Sequence, residues 1–205
     1  MNKEILDYLD ELYPNPKCEL DYSKDYELLI AIVLSAQTTD KRVNKVNKVL
    51  FSKYPDLVSL SKAPISDIES IIREIGTYKR KSIYVSKIAN ILVKNGYFSV
   101  PNDREFIESL PGVGRKTANV FLSNIYGCEA IAVDTHVARV SKRLGIAKEN
   151  DTVLEIEHKL EKKIPFGRWG KTHHQMVLFG RYYCTANKPL CDTCKIREIC
   201  KYNKK

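Results

Sequence analysis

Apolar residues recur along most of this chain at the three- and four-residue spacing of helices, and no convincing run shows the two-residue alternation of a half-buried strand. Ile5, Leu6, Leu9 and Leu12 mark a first helix over residues 3–13, stopped by Pro14-Asn15-Pro16. The run Tyr26–Leu34 is apolar on nearly every side, which predicts a helix buried all round. It ends in the polar stretch Ser35-Ala36-Gln37-Thr38-Thr39-Asp40. There Thr39 or Asp40 can cap a helix that turns Val43, Val46, Val49 and Leu50 inward and Lys41, Arg42, Lys45 and Lys48 outward. Ser66 with Glu69 forms a capping-box pattern ahead of Ile68, Ile71, Ile72 and Ile75, predicting a short helix that ends at Gly76. Tyr84, Ile88, Ile91 and Leu92 share a stripe on the next helix, which closes near Gly96. Asn102 and Glu105 open a short helix into a glycine-punctuated hairpin at 110–114, after which Val120, Phe121 and Ile125 carry a further helix to Gly127.

Beyond it, the apolar run Ala130–Val133 meets Asp134, which can cap a helix with Val137, Val140 and Leu144 on its inner face. Thr152 with Glu155 repeats the capping box before Ile156 and Leu160, and a last helix runs from about Trp169 to Tyr182. The pattern predicts an all-α fold of about ten helices joined by short loops. Internal repeats and low-complexity stretches are absent.

Charge changes the picture. The 205 residues carry a formal net charge of +9, and from Glu155 onward twelve Lys and Arg stand against five Asp and Glu. Such an excess points to a polyanionic partner, because phosphate backbones are bound by neutralising their charge. No window approaches the ~18 consecutive apolar residues that a membrane span needs, and the opening Met1-Asn2-Lys3-Glu4 lacks an apolar export signal. The expected setting is the cytoplasm, near the nucleoid, with no membrane partner and a single copy acting alone.

The hairpin Leu110-Pro-Gly-Val-Gly-Arg-Lys-Thr-Ala-Asn119 carries the most specific chemistry. Gly112 and Gly114 bracket Val113, so the backbone can take positive φ and present bare N–H groups to an anion. Arg115 and Lys116 then open a helix whose positive end favours a phosphate and works against a second positive charge on a nearby amine. A tight Pro-Gly corner with a solvated Arg-Lys pair is the bland alternative. Upstream, Tyr78 beside Lys79, Arg80 and Lys81 can stack or pair with nucleic acid, or simply begin a solvated helix.

Six cysteines in a chain with no export signal argue for metal or redox chemistry over a disulfide framework. Cys184, Cys191, Cys194 and Cys200 form C-x6-C-x2-C-x5-C in a turn-rich stretch too short for a core of its own. Zn²⁺ and a four-iron cluster both accept four thiolates. The single C-x2-C pair with wide, uneven gaps leans toward iron–sulfur, and spacing leaves both open. Cys18 and Cys128 lie outside the group and read as buried small hydrophobes.

In combination, Leu110–Asn119, then Val133-Asp-Thr-His136, then the four-cysteine loop resemble the endonuclease III family of DNA glycosylases within the helix-hairpin-helix superfamily. The likeness spans nearly the whole chain, including Leu34-Ser-Ala-Gln-Thr-Thr-Asp40 and Phe179-Gly-Arg-Tyr182. It implies two helical domains flanking a DNA-binding groove: a six-helix domain at 18–128 and a discontinuous one at 1–17 plus 129–205. It also implies a [4Fe–4S] cluster on the four cysteines, and double-stranded DNA with damaged pyrimidines or abasic sites as partner. In family register Lys116 is the nucleophile on C1′ and Asp134 its acid–base partner. Gln37 fills the gap left by an extruded base, and the hairpin Gly112, Val113, Gly114 and Arg115 grips the DNA backbone; Tyr78, read from its neighbouring cations, is a further candidate contact, and His136 can orient Asp134, approach a phosphate, or simply pack.

The implied activity is base excision repair of oxidised pyrimidines, by N-glycosylase and abasic-site lyase steps. One departure is Thr77, where many relatives place a bulky apolar wedge after the glycine; threonine fills less of that gap. Two other readings remain. A monofunctional adenine-mismatch glycosylase is disfavoured because such relatives lack a lysine at the hairpin position. A non-enzymatic DNA-binding iron–sulfur protein would leave Lys116 and Asp134 without a task.

Overall fold

A computed structural model describes residues 1–204, and every regular element among them is helical. By their contacts the residues separate into two units, Glu19–Tyr126 and Met1–Cys18 with the chain from Gly127 onward.

The Glu19–Tyr126 unit is built on α2 (Asp25–Ser35), in which every residue from Tyr26 to Leu34 is buried. Its start is fastened twice. The Glu27 carboxylate accepts from the backbone N–H of Ser23 (2.7 Å) and Lys24 (3.2 Å), and Asp25 accepts from Val100 N–H at 2.8 Å. Three helices pack around it: α3 (Asp40–Lys53), α6 (Tyr78–Lys94) and α8 (Arg115–Tyr126). The short α4 (Leu57–Ser61) and α5 (Ile65–Ile71) lean on α6, and α7 (Arg104–Ser109) pairs with α8 across the glycine hairpin. Among the described residues this unit therefore has seven α-helical segments, because five-residue α4 forms a turn of its own behind an Asp56–Ser59 cap.

Several local expectations need correction. On α3, Val43, Val46 and Leu50 are buried, but Val49 is 54% exposed and Asn47 takes the inner position instead. Thr39 is the residue before α3, yet its side chain makes no capping bond. Helix α5 starts at Ile65 after Pro64 and stops at Ile71, so Ser66 and Glu69 lie within it and form no cap. Residues 72–77 are turns, through which Ile72 and Ile75 still reach the core. Asp103, not Asn102, caps α7, accepting from Phe106 N–H at 3.1 Å. On α6 the inner stripe is Lys81, Val85, Ile88 and Leu92, while Tyr84 and Ile91 are only half-buried.

In the other unit, α1 (Lys3–Leu12), α9 (Thr135–Arg143), α10 (Val153–Lys163) and α11 (Trp169–Leu178) surround a core of Ile5, Leu9, Ile131, Val137, Val140, Ile156, Leu160, Met176 and Phe179. The run Ala130–Val133 enters this core extended, with all four side chains buried. The expected Thr152–Glu155 capping box opens α10. After α11 the helix widens into a π turn, Phe179–Tyr183, which delivers the chain to Cys184.

Asp10 ties α1 to α11. Its carboxylate receives Arg168 (2.9 Å), Lys171 (2.7 Å) and Gln175 (2.9 Å), and Gln175 also donates to Tyr13 O at 3.0 Å. Partial burial on its own raises the Asp10 carboxyl, and the three hydrogen bonds outweigh it, holding the group down at about 2. A carboxyl depressed on folding stabilises the fold above its unfolded value and loses that contribution as it protonates. Asp10→Asn should therefore lower unfolding free energy by roughly 1 kcal/mol at neutral pH, a figure reduced for solvent screening. The gap between wild type and variant in urea melts should close as pH falls from about 4 toward 2.

Candidate active site

In the hairpin, Leu110 and Val113 are buried anchors, joined by a Val113 N–H to Leu110 O bond of 3.1 Å. Gly112 lies at φ +79°, and a Cβ there would sit 2.5 Å from Tyr84 Cδ2. The chain thus requires glycine at 112 for its own packing. Gly114 differs: contrary to expectation it is not among the positive-φ glycines, and a Cβ would meet no protein atom within 4 Å. Its carbonyl accepts the first bond of α8, from Ala118 N–H at 3.0 Å. Arg115 and Lys116 are the first two residues of α8, and both are exposed.

Gln37 and Thr77 are also exposed, and they are the only non-glycine residues at positive φ among those described, each at +57°. They are near one another: a Cβ on Gly76 would lie 3.7 Å from Gln37 O. Thr77 precedes α6 without capping it, its hydroxyl donating to Gly76 O at 2.7 Å, and Tyr78 begins the helix half-buried.

The residue that sequence reasoning missed is Lys81. Grouped there with exposed cations, it is 3% exposed, and its ammonium donates to Leu34 O (2.9 Å), Ala36 O (2.6 Å) and Thr38 Oγ1 (3.3 Å). Burial, and secondarily the neighbouring Arg80 charge, hold this amine below the ordinary lysine range. A signal was present: 81 falls on the same stripe as 85, 88 and 92, at helical spacing.

In the other unit, Asp134 caps α9 as expected, Oδ1 accepting from Val137 N–H at 2.8 Å. The half-buried His136 lies one turn before Arg139, Nδ1 to Nη2 3.2 Å. The π turn comes so close that a Cβ on Gly180 would sit 2.8 Å from His136 Cβ. Lys116 and Asp134 thus belong to different units, each at the start of a helix.

Cys184, Cys191, Cys194 and Cys200 all line one cavity, with Leu144, Phe179 and Ile196 among its apolar walls, and all four are free thiols. Among the described residues no three His, Cys, Asp or Glu side chains converge tightly enough for a single ion. Arg143 binds the loop together: Nη1 donates to Cys184 Sγ (3.3 Å) and Thr185 O (2.7 Å), Nη2 to Ala186 O (2.9 Å), and the guanidinium lies 4.4 Å from the Tyr202 ring centre. Burial, then the neighbouring cysteines, raise the Cys194 thiol. Cys18 and Cys128 stand apart and are half-buried, not the core residues expected.

The glycine turn between α7 and α8, with Gly112 against the Tyr84 ring, makes this stretch a helix-hairpin-helix motif, the class of fold element to which the site belongs. Residues 30–166 match the HhH-GPD superfamily of base excision DNA repair proteins. Endonuclease III of Bacillus subtilis (strain 168) is 44% identical over 200 residues, 98% of this chain and 91% of that protein. A trapped endonuclease III–DNA covalent intermediate, an estranged-adenine complex, superposes with a TM-score of 0.93 at 45% identity, covering 100% of this chain and 98% of that one. A non-covalent endonuclease III–DNA complex gives 0.94 at 46% identity, covering 98% and 94%. The chain belongs to the endonuclease III family within the HhH-GPD superfamily.

The two hairpin glycines should separate in a thermal melt. Gly112→Ala, strained in φ and driven into Tyr84, is expected to cost about 2 kcal/mol, whereas Gly114→Ala should cost about 0.5 kcal/mol or less.

Proposed function

We propose that this chain excises oxidised pyrimidines from duplex DNA with Lys116 as nucleophile and Asp134 as its partner. The protein is a base-excision repair enzyme, a DNA glycosylase with abasic-site lyase activity, and DNA is its partner. The observation that carries the residue assignment is the exposed Lys116 in the first turn of α8, directly after a hairpin shaped by Gly112.

A base stacked in a duplex cannot be reached, so the nucleotide is first extruded. Lys116 attacks C1′ through the nitrogen lone pair, the C1′–N bond breaks, and the base departs with the electron pair and takes up a proton. Asp134 stabilises the positive charge that develops on the sugar and accepts a proton from the amine. Ring opening gives a Schiff base between Lys116 and C1′. Loss of a C2′ proton then expels the 3′ phosphate and nicks the strand. A monofunctional mismatch enzyme has no use for the amine, and a non-enzymatic binder has none for either residue.

The remaining assignments follow the same reading. Gly112, Val113 and Gly114 present the hairpin backbone to a phosphate, with Arg115 adding charge; this gives affinity without a sequence code. A Cβ at 114 would meet no protein atom, so a glycine there suits an approach from outside the chain. Gln37 enters the gap left by the extruded base, Thr77 lies beside it, and Tyr78 and His136 contact the DNA. Cys184, Cys191, Cys194 and Cys200 would hold a [4Fe–4S] cluster, whose four-thiolate donor set these four free cysteines around one cavity can supply. Bound there, the cluster would cross-link the loop and present it for DNA docking. An enzyme that repairs chromosomal DNA would work at the nucleoid. Among the described residues no helix is long and apolar enough to cross a membrane.

Borohydride should trap wild type covalently on abasic-site DNA, and Lys116→Gln should give no trapped species; efficient trapping by that variant would end the assignment. For Asp134 the cap and the chemistry can be told apart, since asparagine caps as well as aspartate. Asp134→Asn should keep the melting temperature while slowing single-turnover base release by about 10²-fold or more. Asp134→Ala should lose both.

A further inference from the structure

Lys81 is buried without a carboxylate among its three partners, all oxygens of Leu34, Ala36 and Thr38. Those partners bracket Gln37, with bonds to residues on both sides of it. Two are carbonyls at the C-terminal end of α2, where the last turn lacks intrahelical donors and the dipole favours a cation. The others nearby are already served: Ser35 Oγ donates to Ile32 O at 2.8 Å and Thr38 N–H to Ser35 O at 3.0 Å.

Gln37 also sits in a left-handed conformation that costs a non-glycine residue about 1 kcal/mol or more and persists only where the surroundings impose it. Residues 35–40 contain no glycine to favour that turn. Lys81 is the group that reaches into it. Four residues before Lys81, just ahead of α6, stands Thr77, the other left-handed residue, next to Gly76 and its approach to Gln37 O. Lys81 therefore fastens both places to one frame, its ammonium holding the residues on either side of Gln37 and its backbone N–H donating to Thr77 O at 3.1 Å.

We infer that Lys81 is a positioning residue that holds Gln37 and Thr77 in the arrangement entering the duplex gap, and so sets how strongly the enzyme prefers an extruded nucleotide over intact DNA. This rests on the reading of Gln37 as gap filler. It touches neither substrate nor sugar, and acts by keeping a pre-formed turn from relaxing.

The test compares wild type, Lys81→Met, Gln37→Ala and the double variant. The probes are a duplex with a tetrahydrofuran abasic analogue opposite 2-aminopurine and the same duplex undamaged. Lys81→Met keeps length and removes the donors. It should lower the ratio of abasic to undamaged affinity about tenfold and shift the 2-aminopurine fluorescence of the complex to that of Gln37→Ala. The double variant should be no worse than Gln37→Ala, because both changes remove one device.

If Gln37→Ala changes the ratio and the fluorescence but Lys81→Met changes neither, the positioning role is overturned while the gap-filling reading stands. If Gln37→Ala itself changes neither, that reading fails and this inference with it. A fall in melting temperature that weakens both duplexes equally shows Lys81 to be only structural, and also overturns the proposal. Where Lys81→Met does not fold, Lys81→Gln, which retains one amide donor group, takes its place. A smaller loss of the same ratio is then expected, and an unchanged ratio is overturning.

Discussion

A helix buried on all sides can hide its side chains but not its ends. Helix α2 buries every residue from Tyr26 to Leu34, and the Leu34 carbonyl at its end, shut away from water, must find a donor within the protein. The Lys81 ammonium is that donor. Leaving the Leu34 carbonyl unpaired costs ~1–3 kcal/mol, and an unpaired buried ammonium would cost more. The two problems cancel only if α6 places residue 81 against the end of α2, so the packing of the unit and the shape of the Gln37 turn are set by the same contact. The low amine pKa is the residual desolvation penalty of that arrangement.

The start of α2 shows the opposite polarity. Glu27 and Asp25 accept backbone N–H groups there, and Asp25 does so from Val100, far along the chain. Acid at the N-terminus and base at the C-terminus match the helix dipole, so the central helix of the unit is oriented as well as buried. In the other unit the long-range tie is Asp10, which joins the N-terminal helix to α11 through three donors. A discontinuous unit needs such a contact, since its two segments are separated by more than a hundred residues and no short loop holds them together.

Lys116 and Asp134, the residues proposed for the chemistry, both stand at helix starts, and this has a physical logic. A residue in a first turn is held by the helix behind it while its side chain stays clear of the core. Lys116 gains exposure that way, and Asp134 gains a fixed rotamer from its bond to Val137 N–H. The hairpin divides its glycines likewise. Gly112 answers to Tyr84 inside the protein, and Gly114 answers to nothing inside it.

Much of this was legible along the chain because it depends on neighbours in sequence. Periodicity found α1, α2, α3 and the core face of α9, and local cap chemistry found Asp134 and the Thr152–Glu155 box. The glycine hairpin with Lys116 behind it and the grouping of the four cysteines were readable too, because each lies within one short stretch of sequence. Sequence reading failed where two segments compete for one position. Ser66 and Glu69 had the right spacing for a cap, but Pro64 starts that helix earlier. Val49 had the right character for the core, yet the geometry of α3 against its neighbours turned Asn47 inward. Lys81 looked like one of three surface cations because its partners lie more than forty residues upstream, and only the folded chain brings the bare carbonyls of α2 to it. The left-handed turns at Gln37 and Thr77 follow from that same meeting of helices, which no local preference specifies.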